Sequence, residues 1–161
     1  MKWHNHKILT AGIVFAATHN FISTIAATIG SIFPDLIEIW LYGDNGNKNH
    51  RKLSHWWVIY LAGIILFSHL IAIKITDKNF IQLITIGYLQ QAIFFIAKFF
   101  MIGALLHIIQ DAFCGKVPLF NPNKKEFGFR IFKTGSFGEY IFTSLVIVIM
   151  IAIFISKKGG I

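Results

Sequence analysis

Acidic residues are scarce in this chain: seven Asp and Glu stand against fifteen Lys and Arg in 161 residues, and only 14% of positions are charged. A soluble domain carries roughly 25% charged residues, so that class is excluded. The single cysteine, Cys114, rules out an intrachain disulfide and leaves the redox compartment unread. A helix-end cysteine packed among apolar neighbours is its expected role. No glycine-rich phosphate loop, nucleophile elbow, internal repeat or low-complexity tract occurs, which removes several common enzyme and scaffold classes. No small-residue cleavage site follows the first apolar run, so a secretory leader is not expected.

What fills the chain instead is apolar. Hydrophobic residues make up 55% and aromatics 16%, and several runs reach bilayer-spanning length. The expectation is an all-α, polytopic membrane bundle forming a single domain over 1–161. Its spanning helices fall at 56–75, 80–113 and 140–156, preceded by an N-terminal helix or re-entrant hairpin. The net charge of +8 then marks cytoplasmic loops and anionic headgroups rather than nucleic acid, for which no reading helix is present.

The first apolar run, 8–33, holds 26 residues, roughly 39 Å as one helix. Thr18-His19-Asn20 interrupts it, and Asn20 can cap a second helix. Two half-length helices over 6–17 and 21–33 would return the chain to its starting side; a single span would not. Pro34 should stop or turn the helix, and the chain turns polar from Glu38 to Leu53. Lys98 lies inside the 34-residue run 80–113, where it must snorkel, find a carboxylate, or mark a break. Ser136 and Glu139 have capping-box spacing, a sufficient structural reason for both.

Ionisable residues collect where apolar runs end. His107 and Asp111 are four apart, one above the other on a helical face, where imidazole and carboxylate can share a metal ion. Asp35 follows the proline stop, and His50, Arg51 and His55 cluster around the polar loop. His69 lies about 21 Å along the helix from His55 and is excluded. Such a set suits zinc first, with manganese or iron as alternatives.

These residues carry a resemblance. Ile32-Phe-Pro-Asp-Leu36, Asn49-His-Arg-Lys-Leu-Ser-His55, and Gly103-Ala-Leu-Leu-His-Ile-Ile-Gln-Asp111 followed by Gly115-Lys-Val-Pro-Leu-Phe-Asn-Pro122 resemble the motifs of the YdjM/YbcI family of membrane-bound metal-dependent hydrolases. The resemblance covers essentially the whole chain in order. It implies metal ligands at His6, Asp35, His50, His55, His107 and Asp111, and catalytic roles for Arg51 and Glu139. The family's second aspartate is Ile37 here, with Glu38 beside it. A more distant similarity runs to zinc-dependent phospholipase C and S1/P1 nucleases.

The reading is therefore a membrane-embedded, metal-dependent hydrolase in the plasma (inner) membrane. Its substrate would be a phosphoester or lipid-linked molecule presented at the cytoplasmic face, with membrane lipids as partners. An adaptor with a structural metal and an ion or metal transporter are the competing classes.

Overall fold

His19 and Asn20 turn the first apolar run back on itself. The first helix, α1 (Trp3–Thr18), ends where His19 adopts a left-handed backbone, φ 50°, and returns its N–H to Phe15 O at 2.8 Å. Asn20 then accepts from Ser23 N at 3.0 Å and opens α2 (Phe21–Gly30). That side chain satisfies a backbone donor no helical carbonyl can reach. The two helices pack against each other, so the hairpin forms and His6 lies at the same end of the molecule as Asp35. The computed structural model describes residues 1–43, 51–72 and 80–158.

Past Gly30 the helix breaks for only two residues, Ser31 and Ile32, and resumes as α3 (Phe33–Tyr42). Pro34 sits in the first turn of α3, where its missing N–H had no helical partner to lose. It therefore sits in the start of a helix, which carries the chain through Glu38 to Tyr42; residues 44–50 of the polar stretch expected from Glu38 to Leu53 lie outside the described residues. Glu38 is helical and buried.

A 3₁₀ turn at Leu53–His55 leads into α4 (Trp57–Ala72). The longest element, α5 (Phe80–Cys114), is unbroken through Lys98, whose ammonium lies 6.0 Å from the Phe99 ring centroid. The chain then loops back to α6 (Phe137–Lys158). Among the described residues, three stretches are long and apolar enough to cross a membrane: Phe21–Tyr42, Gly87–Cys114 and Phe137–Ser156. The last two match expectation. The first joins α2 and α3 across their two-residue break, whereas α4, expected to span, is a 16-residue apolar helix within the described residues.

Two glycines decide how close α2 comes to α5. A Cβ on Gly30 would lie 2.0 Å from Phe100 O, and one on Gly103 would lie 1.9 Å from Ala27 O. Backbone therefore meets backbone at this crossing, the small-residue packing that membrane helices use in place of a hydrophobic driving force. Beside it Tyr60, Ala104, Ile108, Ala112 and Val117 form a buried apolar cluster between α4, α5 and the loop after α5. The same loop caps α5: Phe129 N donates to Ala112 O at 2.7 Å and Ile131 N to Phe113 O at 2.8 Å. Carbonyls that a helix end leaves unpaired are thereby satisfied, and the end of α5 that bears His107 and Asp111 is held in place.

Candidate metal centre

Four side chains from three elements meet at this held end. His107 and Asp111 come from adjacent turns of α5, Asp35 from the first turn of α3, and His55 from the end of the 3₁₀ turn. His55, His107 and Asp111 are buried, and Asp35 nearly so. His55 Nε2 lies 3.2 Å from His107 Nε2, 3.3 Å from Asp35 Oδ1 and 3.5 Å from Asp111 Oδ2. His107 Nε2 lies 3.5 Å from Asp35 Oδ1 and 3.8 Å from Asp111 Oδ2. Four ligands placed tetrahedrally at roughly 2.1 Å from a zinc-sized ion are about 3.4 Å from one another. The five separations bracket that edge.

The surrounding hydrogen bonds say which atoms face inward. His107 Nδ1 donates to the Ser31 carbonyl at 2.6 Å. A carbonyl only accepts, so this nitrogen holds the ring proton and Nε2 presents a lone pair. Trp3 Nε1 donates to Asp35 Oδ2 at 2.7 Å. Asp35 Oδ1 is left buried without a hydrogen-bond partner, as is His6 Nε2. Two imidazole nitrogens and two carboxylate oxygens thus converge in a buried space, a donor set that suits a cation, and the residues fit a divalent ion.

His55 is oriented from behind. Its Nδ1 lies 3.0 Å from Ser54 Oγ and 3.6 Å from Glu38 Oε2, while Tyr60 donates to Ser54 O at 2.6 Å. Burial disfavours protonated His55, but hydrogen bonding to the Asp111 and Asp35 carboxylates outweighs it and raises the pKa above the ordinary histidine value.

His6 joins from α1. Its ring stacks on His107 with centroids 3.9 Å apart, Nδ1 meets Gln110 Oε1 at 2.8 Å, and Nε2 lies 3.3 Å from Asp111 Oδ1. Gln110 is fixed in turn by donating to Thr10 Oγ1 at 3.1 Å. Two overlapping ligand groups result, Asp35 with His55 and His107, and His6 with His107 and Asp111.

Two cations already lean on Asp111: the Met1 ammonium on Oδ1 and the Arg51 guanidinium, whose Nε is 2.6 Å from Oδ2. The Arg51 contact is a charge contact, since its Nε–H has no aligned acceptor. Arg51 also carries a left-handed backbone, φ 58°, which a non-glycine residue adopts at a cost of order 1–3 kcal/mol. Its N–H is anchored on Glu38 Oε2 at 3.0 Å.

Glu139 lies outside both ligand groups. Its carboxylate accepts from Lys2 N at 2.8 Å, Gly135 N at 2.6 Å and the Asn5 amide. The capping box does not close, because Ser136 N bonds Lys133 O and the glutamate serves Gly135 and the start of α1 instead. His50 falls outside the described residues. His19 sits at the hairpin turn, His69 on exposed α4 surface, and His4 stacks on Tyr140. Cys114 is half-buried with Sγ 3.9 Å from Gln110 O, as a packed helix-end thiol should be.

Sequence reasoning passed over Trp3, Ser31 and Gln110 and gave Glu38 only a substitute's place. Gln110 is three residues from His107 and Glu38 three from Asp35, so both lie on ligand-bearing helical faces. Nothing local marks Ser31, which acts through its carbonyl, or Trp3, which reads as an interfacial aromatic.

A family model described as YdjM inner membrane protein matches residues 1–160. No curated protein and no solved structure matches.

Proposed function

The chain belongs to the YdjM family of inner membrane proteins, and from that premise we propose that it is a zinc-dependent hydrolase of phosphoesters presented at the cytoplasmic membrane surface. The supporting observation is the buried constellation of His55 Nε2, His107 Nε2, Asp35 Oδ1 and Asp111 Oδ2. These four side chains hold the ion, with His6 beside Asp111 and His50 completing the set. When bound, the ion supplies Lewis acidity toward water and toward a phosphoryl oxygen.

The chain's own groups do the rest. Asp111 holds the Arg51 guanidinium by charge while no other cation claims its Oδ2. Once that oxygen is engaged, the planar fork of Arg51 turns to phosphate oxygens, for which it is a geometric match. Glu139 holds Asn5 and Lys2 and thereby keeps His6 over His107. Ser31, Glu38 with Ser54, and Gln110 orient the three imidazoles.

Orientation follows from charge. The hairpin puts Lys2 and Lys7 on the side that carries Arg51, Lys52, Lys116, Lys124, Lys125, Arg130 and Lys133, and the positive-inside tendency assigns that side to the cytoplasm. Metal analysis of detergent-purified protein beside His107→Ala, together with a panel of lipid phosphoesters and generic phosphodiesters, tests the reading. Stoichiometric metal and chelator-sensitive release of product are expected. Stoichiometric metal with no turnover on any substrate would replace it with a structural metal in an adaptor.

A further inference from the structure

One turn of α5 serves two environments. His107 and Asp111 face the ligand cluster, while their neighbours Ile108 and Ala112 line an apolar cavity of about 180 Å³. Its other walls are Trp57 on α4 and Val117, Leu119 and Phe129 on the loop after α5. The indoles of Trp56 and Trp57 both donate to Leu119 O, at 3.4 and 2.8 Å, tying the loop over the cavity. An apolar cavity of roughly 150 Å³ stays dry and takes up hydrocarbon.

The segment after α5 that walls the cavity has a different character on its exposed side. Phe120, Phe127, Phe129, Ile131 and Phe137 are exposed large apolar side chains. Lys124, Lys125, Arg130 and Lys133 are exposed among them. Aromatics alternating with basic side chains match the boundary between acyl chains and anionic headgroups. A second and larger apolar cavity, between Ile8, Gly12 and Phe15 of α1 and Met150 and Phe154 of α6, has no charged residue in its lining. Of these two cavities, the first combines an apolar interior with walls drawn from a basic loop and from neighbours of the metal ligands.

We propose that this cavity holds the hydrocarbon chain of an amphiphilic phosphoester whose anionic headgroup is met by the basic loop and delivered to the ligand cluster. The second half of the statement rests on the hydrolase reading; occupation of the cavity by an anionic lipid's chain does not. The site thus selects single-chain or splayed anionic lipids over soluble phosphoesters, because the chain binds one helical step from the ligands.

The test uses a lysophosphatidic acid whose acyl chain carries bromines, a quencher of indole fluorescence, added to the full protein in detergent micelles. A monoacylglycerol with the same brominated chain serves as the uncharged control. Quenching should saturate and be largely lost in Trp57→Phe. Affinity should fall at least tenfold in Ala112→Leu, which fills the cavity, with metal content unchanged. Should Ala112→Leu not fold, Ile109→Phe narrows the exposed mouth and should produce the same loss. The control should bind several-fold more weakly. Quenching undiminished in Trp57→Phe, affinity unmoved by a folded filling variant, or equal binding of the control would overturn the proposal. Saturable, Trp57-dependent binding with no turnover of this lipid or of any phosphoester in the panel would instead overturn the hydrolase reading and leave the cavity's occupant standing.

Discussion

Trp3 and Asp35 are joined by one hydrogen bond, indole Nε1 to carboxylate Oδ2 at 2.7 Å, which turns the other oxygen, Oδ1, toward His55 and His107. The first helix thus orients a ligand on the third. Partners of this kind commonly set metal affinity by 10–100-fold. Trp3→Phe keeps the ring and removes the donor, so zinc affinity should drop roughly tenfold or more at unchanged stoichiometry. Competition against a fluorescent chelator measures it, and an unchanged dissociation constant would remove Trp3 from the centre.

Asp111→Asn preserves the side chain's shape while deleting the charge that His55, His107 and Arg51 face. Metal content should fall to a small fraction of wild type, and turnover with it, while helical circular dichroism stays unchanged. Full metal retention in the variant would show that the ion is held elsewhere.

Loading should release protons. His55 must be neutral to ligate a metal, and its pKa in the metal-free fold is raised by Asp111 and Asp35. A raised folded-state value means that protonated His55 stabilises the metal-free protein at pH below the ordinary 6.5, and that this contribution disappears as pH climbs through the raised value. Zinc affinity therefore increases with pH over the same window. Calorimetry in buffers of different ionisation enthalpy should show more proton release near pH 6.5 than near pH 9, and a pH-independent count would contradict the assignment.

Gly115 leaves room for Arg51: a Cβ there would lie 2.0 Å from the Arg51 Nη1. Gly115→Ala should displace the guanidinium and lower kcat/KM for a phosphoester without emptying the metal site. Losing a hydrogen bond to a charged group costs about 1.5–3 kcal/mol, so the drop should be roughly tenfold to a hundredfold. Equal activity would show that Arg51 does not touch substrate.

The hairpin makes a topological prediction. In a Cys114→Ala background, cysteines replacing exposed Lys2 and exposed Lys124 should react with an impermeant thiol reagent from the same membrane side, and both from the cytoplasm. Reaction from opposite sides would break the hairpin and part His6 from Asp111.

The length of the apolar runs made the bundle legible, and helical spacing made His107 and Asp111 legible, because both signals are local. Asn20 announced the hairpin through its capping chemistry, yet choosing it over a single span required seeing α1 and α2 pack. The stop read at Pro34 comes a few residues earlier, at Gly30, because Pro34 itself takes a place in the first turn of α3, where proline is favoured. Glu139 was read against Ser136, its sequence neighbour, whereas its carboxylate bonds Lys2 and Asn5 from the far end of the chain. The carbonyl of Ser31 has no signature at all, since every residue owns one.

The crossing of Gly30 over α5 also sets an order of events during synthesis. Ten residues of α2 extend roughly 15 Å, half a bilayer core, so this helix reaches spanning length only together with α3. Its seat is the backbone around Gly103, translated about seventy residues later. At roughly 5–20 residues per second, the returning arm of the hairpin waits on the order of several seconds with its small-residue face unoccupied. Whatever shelters nascent helices at the insertion machinery must therefore shelter this one until α5 emerges, and the ligands, split between α1, α3, the 3₁₀ turn and α5, come together only at that moment.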